Sequence, residues 1–400
     1  MRKAAVSFFS LFAIRIEPDI IKHTCGSMEI RKEGFAMPTM IHTADLHIGA
    51  KFEFLPENLI EAAQKLQMDA LRSLVRYAGD SAADVLLIAG DLFDSPEVPA
   101  QTASAVFGIL SGCPCPVFIA PGNHDYYFSG SPYALQPLPS NVCVFTSRTL
   151  KPIGLPDGET VIWGAAFQDN KADIPLEAEL DTSKINICLV HGELGGTGGY
   201  NAISESAVLT SGFDYIALGH NHRFSGVFRI GNTALSCPGC FSATASNETG
   251  IKGFLTGEIE KGSVSLRMRA SGALEFADVS VSMNGLHSDE MLASALVPLL
   301  PTPAARYCCH VHLIGTKQYA PNLTALTRSL RNNYFHAVVS DESAEEQDLF
   351  RYQKDEGIRG TVTRDFMEQL EKHKENEQES AKLMLALEYA IAALDGREVE

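Results

Sequence analysis

No apolar stretch of the 400-residue chain reaches the roughly eighteen residues that a membrane-spanning helix needs, so an integral membrane protein is not expected. A closely spaced, even set of cysteines is also missing. The nine present, at 25, 113, 115, 143, 188, 237, 240, 308 and 309, are scattered, and several fall inside apolar runs such as "NICLV". They read as buried, reduced cytosolic thiols and not as a disulfide framework. Basic residues are scarce: 32 Lys and Arg stand against 49 Asp and Glu, for a formal net charge of -17. The deficit deepens at the end, where residues 341–400 hold 17 acidic and 8 basic side chains and cannot form a phosphate-binding face by themselves. Internal repeats and low-complexity segments are absent as well. What remains, 45% hydrophobic and 20% charged, describes a globular chain with room for roughly two to three domains.

The N-terminus admits two readings. Arg2 and Lys3 followed by the apolar run Ala4 to Ile14 have the charge and length of a secretory leader, but "RIEPDIIKHTCG" supplies no small-x-small cleavage site. Lys32, Glu33 and Gly34 can instead be encoded by a purine run that a bacterial ribosome pairs with, and Phe35 and Ala36 make a short spacer before Met37. The expectation is therefore that Met37 starts the protein, that residues 1–36 are an untranslated or disordered extension, and that the location is cytoplasmic.

From Met40 the chain alternates short apolar runs with helical patterns. "MIHTA" leads to a helix near Asn58 to Ala78, "DVLLIAG" to one from Pro99 to Leu110, and "PVFIAPGN" follows, a βαβαβ order that predicts parallel strands with covering helices. After about residue 140 strand-like runs crowd together and helices thin out, as expected of a second, more antiparallel sheet packed on the first. Residues 37–272 are thus expected to form a catalytic domain and 273–345 a small α/β cap, with helices around Asp289 to Leu299 and Pro321 to Arg331. Residues 346–400 read as an acidic helical segment whose stripe of Leu383, Leu387, Ile391 and Leu394 is core, or else a dock for a partner helix.

Five stretches sit where an apolar strand run ends and a loop begins: "ADLHIG" (Asp45, His47), "AGDLFD" (Asp91, Asp94), "PGNHD" (Asn123, His124, Asp125), "VHGE" (His191) and "GHNH" (His220, His222). Loops at the carboxyl ends of strands converge on one rim of an α/β sheet, so these side chains can meet. Their types suit a two-metal centre. Asp45, His47 and His222 could hold one ion and Asn123, His191 and His220 the other, with Asp91 bridging because a carboxylate offers one oxygen to each. Two ions about 3.5 to 4 Å apart share and acidify a water and clamp phosphate oxygens. Imidazoles beside carboxylate and amide oxygens favour Mn, Fe or Zn. His124, left without a metal role, could protonate a leaving oxygen, and Asp94 could accept its other N–H.

The order D-x-H, G-D-x-x-D, G-N-H-D, H-G, G-H-x-H resembles that of the calcineurin-like metallophosphoesterase superfamily, with every expected ligand position filled. "IHTADLHIGAKF", "LLIAGDLFDSPEVP" and "PVFIAPGNHDYY" resemble SbcD-type DNA repair exonucleases, over about residues 39–250, and "EYAIAALDGREV" resembles the C-terminal helices of the YhaO group. The resemblance implies an α/β fold, a four-layer α/β/β/α sandwich, with a dinuclear, Mn2+-dependent phosphodiesterase centre that trims or nicks DNA. It also implies an SbcC-type coiled-coil ATPase partner and a homodimer. The alternatives are a phosphodiesterase or phosphatase for a small nucleotide or other phosphoester, and a non-catalytic scaffold.

An acidic chain would repel DNA unless Lys51, Lys65, Arg72, Arg76 or Arg223 gather near the site, or the partner supplies basic surface. Tyr126, Tyr127 and Phe128 read as cleft wall or loop packing, with stacking on an unpaired base as the alternative. "CPGC" at Cys237–Cys240 lacks a second pair at zinc spacing and reads as a turn beside the metal site. Cys308 and Cys309, adjacent on a strand, face opposite sides and are not expected to pair. "HGELGGTGGY" reads as a loose edge near His191. His310 and His312, alternating along one strand face, read as structural.

Overall fold

A computed structural model describes residues 38–196, 198–345 and 349–396. The apolar N-terminal run and the expected start at Met37 lie outside the described residues. Two compact units emerge. One holds the described residues up to Ser280 with 293–312 and 323–340; the other holds 281–292, 313–322 and the described residues from Asp341 onward.

In the first unit, β1 (Thr39–Thr43), β2 (Val85–Ile88), β3 (Val117–Ile119) and β4 (Val142–Val144) run parallel and side by side. "VLLI" is buried at every position, as a parallel strand covered on both faces must be. The crossovers carry α1 (Glu57–Asp80) and α2 (Ala100–Leu110), close to the spans that periodicity predicts. Leu71, Leu74, Val75 and Ala78 of α1 and Val106 and Phe107 of α2 form one buried cluster with Ile41, Leu86, Ile88 and Val117. The brief helix α3 (Pro132–Leu135) follows β3.

The second sheet is built from β5 (Lys151–Gly154), β6 (Thr160–Gly164) and β7 (Ile185–Leu189), and, beyond the short pair β8 (Glu193–Leu194) and β9 (Ala202–Ile203), from β10 (Tyr215–Ala217), β11 (Phe228–Ile230) and β12 (Thr233–Ser236). Its order is β11-β12-β10-β7-β6-β5, with β12, β10, β7 and β6 parallel and the edges antiparallel. The chain then returns to the first sheet through β13 (Gly253–Glu260) and β14 (Ser263–Ala270), giving the order β14-β13-β1-β2-β3-β4. Met40, Val85, Leu87 and Phe118 of one sheet and Ile162, Ile187, Leu189, Tyr215 and Ala234 of the other share a buried cluster, so the two sheets pack face to face. The far side of the second sheet is covered by α4 (Glu205–Ser211), through Val208, and by the loop with Ile174 and Leu176. The expected α/β sandwich of two mixed sheets with outer helices is therefore present. The second sheet is more parallel than the crowding of its strands predicts, because connections after β6 and β7 cross over without long helices.

Strands 275–282, 307–314 and 336–341 form a three-stranded sheet with 307–314 in the centre. Its residues up to Ser280, His312 and Ser340 belong to the first unit. In the second unit, helices Ile358–Lys372 and Glu377–Leu394 pair, and Leu387 and Ile391 of the predicted stripe are buried with Leu349 as core, with the half-buried Val362 and Phe366 packed against them. Among the described residues no helix is long and apolar enough to cross a membrane.

Candidate metal centre

The five sequence stretches follow β1, β2, β3, β7 and β10, all parallel strands, so their loops leave the same end of both sheets. Backbone bonds from Asp45 N–H to the Gly90 carbonyl and from His47 N–H to that of Asp91 lock the first two loops together. Asp45, His47, Asp91 and His220 have φ of 49°, 47°, 50° and 78°. Four non-glycine residues in the left-handed region, all in one site, are strain that the surrounding bonds must hold.

Asp125 is the buried clamp of this arrangement. Its carboxylate accepts from the backbone N–H groups of Asp91 (3.2 Å), Phe93 (3.2 Å) and Gly122 (2.7 Å) and from the Tyr133 hydroxyl. Gly122 itself is required by closeness: a Cβ there would stand 2.3 Å from Asp91 Oδ1.

The seven expected ligand positions come together. Nε2 of His47 lies 3.1 Å from Nε2 of His222, which is 3.9 Å from Asp45 Oδ1. Asn123 Oδ1 meets His191 Nε2 at 2.9 Å and His220 Nδ1 at 3.1 Å. Asp91 Oδ2 stands between, 3.3 Å from His191 Nε2 and 3.9 Å from His47 Nε2. Donor atoms of Asp45, His47 and His222 lie within 4.8 Å of one another, as do those of Asp45, Asp91 and His191.

The tautomers test whether cations fit here. His47 meets the Asp94 carboxylate through Nδ1 at 3.1 Å, and His222 meets that of Glu248 through Nδ1. A carboxylate accepts, so each Nδ1 donates outward to its carboxylate and the two Nε2 atoms are left turned toward each other. His191 repeats the pattern: Nδ1 donates to the Ala89 carbonyl at 2.8 Å, and Nε2 faces only the oxygens of Asn123 and Asp91. Ring nitrogens and oxygens thus converge from several sides, and imidazole nitrogen, carboxylate and amide oxygen are donors for a divalent metal of the Mn, Fe or Zn type.

The carboxylates draw positive charge into this site, whether as ring protons or as a cation. Burial opposes charge on His47, yet Asp94, Asp91 and Asp45 outweigh it and lift its pKa to about 9. His191 is raised to about 9 in the same way, burial being overcome chiefly by Asp91. Burial together with the charge on His191 pushes His220 down to about 4. Asp45, with 0% exposure, is pushed upward by burial, while the histidines around Asp91 overcome its burial and hold it low. Two buried carboxylates whose ion-pair partners here are histidines form a site short of positive charge.

His124 is exposed at the rim. Its backbone N–H donates to Asp91 Oδ1 at 2.9 Å, and its Nδ1 donates to a carbonyl, that of Asp94, at 3.1 Å. Asp94 thus reaches His124 through its backbone; its carboxylate is engaged with His47, a division of labour that the motif alone does not reveal. Glu248, in "SNETG", is the residue sequence reasoning missed. Burial works to raise its pKa, but His222 and the N–H groups of Thr244 and Ala245 hold it at about 2, an ionised carboxylate behind a donor histidine. No spacing signal announces it. Tyr200 of the glycine-rich segment stacks on His220 at 5.1 Å, and Cys240 lies within 4.8 Å of His222 and Glu248, with both cysteines of "CPGC" buried and unpaired as disulfides. Tyr126 and Tyr127 are half-buried against the clusters outside the second and first sheets, as the packing expectation for this segment has it.

Residues 38–224 match the family model of the calcineurin-like phosphoesterases, so this part of the chain is a calcineurin-like metallophosphoesterase domain. It is similar to the "Uncharacterized metallophosphoesterase YhaO" of Bacillus subtilis, at 27% identity over 77% of this chain and 79% of that one. It is also similar to the "DNA double-strand break repair protein Mre11" of Aeropyrum pernix, at 27% identity, with 46% of this chain covering 49% of that protein. Phosphoester hydrolysis with divalent metals is the chemistry that this family performs.

Proposed function

We propose that the chain is a Mn2+-dependent phosphodiesterase acting on DNA, an SbcD-type exonuclease or endonuclease subunit that works in the cytoplasm with an SbcC-type coiled-coil ATPase. The observation that carries the chemistry is the opposed Nε2 pair of His47 and His222 beside the Asp91 carboxylate. Asp45, His47 and His222 would hold one cation, Asn123, His191 and His220 the other, and Asp91 both. When bound, such a pair supplies a nucleophile from water at neutral pH and neutralises charge on the phosphate.

The chain's own groups do the rest. Asp94 and Glu248 retain the Nδ1 protons of His47 and His222 and so orient both rings. Asp91 ties the rim loop to the floor through the His124 N–H. With Nδ1 of His124 engaged by the Asp94 carbonyl, its Nε2 is the nitrogen that meets substrate, where it donates a proton to the leaving oxygen or steadies charge on the phosphoryl group. Beside Asp94 a cavity of about 470 Å3 is lined by Lys51, Glu53, Phe54 and Thr244, and Lys51 with the Phe54 ring gives it a cation and an aromatic face for a nucleotide.

One observation favours a small phosphodiester instead. Lys65 and Arg72, expected to attract DNA, are both bound to Asp69, at 2.6 Å and 2.7 Å. The deciding experiment is Mn2+-dependent digestion of labelled single- and double-stranded DNA by the wild type and by His124→Ala. DNA cleavage that the variant loses supports the nuclease reading. Hydrolysis of bis-nitrophenyl phosphate with DNA left intact moves the assignment to the small substrate, and no hydrolysis of either with Mn2+, Fe2+ or Zn2+ overturns both.

A further inference from the structure

The three-stranded sheet carries a second cluster of metal donors that shares no residue with the centre above. His310 and His312 stand two apart on strand 307–314 and therefore on one face; that face is half-exposed, while Cys309, Val311 and Leu313 are buried on the other. Their ring centroids are only 3.9 Å apart, closer than rings in contact ordinarily sit. Across to strand 275–282, Asp278 Oδ1 lies 2.7 Å from His312 Nε2. Across to strand 336–341, the Ser340 hydroxyl meets His310 Nε2 at 2.7 Å, the kind of outer contact that holds a ligating imidazole by its other nitrogen. One donor atom from each of Asp278, His310 and His312 lies within 4.8 Å of the other two.

We propose that Asp278, His310 and His312 bind a divalent transition-metal ion, zinc or a late first-row neighbour, that ties strand 275–282 to strand 307–314. Two imidazoles and one carboxylate are the donor set of such an ion and not of Mg2+ or Ca2+, which take oxygens. The spacing needs little change: ligands about 2.1 Å from one ion and tetrahedrally disposed are about 3.4 Å apart, so the Asp278–His312 contact opens by under about 1 Å. The bland reading, an ion pair of charged His312 with Asp278, accounts for that contact alone. A cation shared by the three accounts as well for the second imidazole pressed against the first, where a charge on both rings would repel. With three protein donors and an Asp278 side chain 52% exposed, the site keeps a coordination position open to water or a further donor.

The test is a metal count. Protein stripped by chelator, reloaded with Zn2+ and freed of excess by gel filtration is assayed for zinc per chain, in the wild type and in the His310→Ala/His312→Ala double variant. The double variant retains one zinc fewer per chain, Asp278→Asn binds that ion about tenfold more weakly, and both keep wild-type hydrolysis of bis-nitrophenyl phosphate in Mn2+. Equal zinc in wild type and double variant overturns the site. Should the double variant fail to fold, the wild type decides: the ring protons of His310 and His312 shift together during a zinc titration, and rings unmoved up to millimolar zinc overturn it equally.

Discussion

His47 and His222 face each other nitrogen to nitrogen across 3.1 Å, each held from behind by a carboxylate, Asp94 for the first and Glu248 for the second. The arrangement makes Glu248 a positioning residue with a readable role. Glu248→Gln keeps the shape but weakens the pull on the His222 Nδ1 proton, and outer partners of this kind are typically worth about 10- to 100-fold in metal affinity. Activity titrated against Mn2+ should shift to higher metal by that factor, with the plateau within a few-fold of wild type. A plateau that collapses while the metal midpoint stays put contradicts this role.

Asp91 lies where both halves of the centre meet, so Asp91→Asn should act far more severely. Losing the shared negative oxygen removes several kcal/mol of stabilisation, about 1000-fold or more in kcat on bis-nitrophenyl phosphate. Far-ultraviolet circular dichroism should match that of the wild type. Retention of a tenth of the activity would show that Asp91 is not shared.

His124 should separate from the ligands by metal content. His124→Ala is expected to lower kcat by about 100- to 10,000-fold, the range for a lost proton donor, with bound metal per chain unchanged. Metal lost along with the rate would place His124 among the ligands instead.

Gly122→Ala tests the close approach beneath Asp91. The added Cβ would stand 2.3 Å from Asp91 Oδ1 and 2.8 Å from its backbone nitrogen, and neither group can yield without disturbing the Asp125 clamp. A loss of about 1–3 kcal/mol in urea unfolding is expected, together with lost activity. Gly154→Ala is the control: a Cβ there meets nothing within 4 Å and should leave both unchanged.

His42 contributes a pH dependence of stability. It is fully buried; Nε2 meets the Leu218 carbonyl at 3.0 Å and Nδ1 the Tyr215 hydroxyl at 2.9 Å, an arrangement satisfied by the neutral ring. Burial takes its pKa down to about 3 from an ordinary 6.5. Between those values the unfolded chain binds a proton that the folded chain refuses, so this stability is complete above pH 6.5 and is lost as pH falls toward 3, at about 1.4 kcal/mol per unit. The urea midpoint of wild type should fall across that window more steeply than that of His42→Gln. Parallel curves would mean that His42 is not held neutral.

Much of the first unit was legible because parallel strands buried on both faces must be short and apolar, as "VLLI" is, and because Leu71, Leu74, Val75 and Ala78 recur at helical spacing. The candidate ligands were legible for a related reason: each ends such a strand, and strand ends of one α/β layer share a rim. The second sheet was read as more antiparallel than it is, since crossovers made of loop leave no periodic trace.

Sequence alone, then, determined which side chains could reach the rim, for strand direction and spacing are written locally. Only the tertiary structure decided which nitrogen of each histidine faces inward, because that depends on a carboxylate far away in the chain, Glu248 for His222, or on a backbone carbonyl, Ala89 for His191. Hydrogen-bond partners across 26 or 102 residues carry no spacing rule. The same holds for Asp278, which meets His312 only because two strands lie side by side.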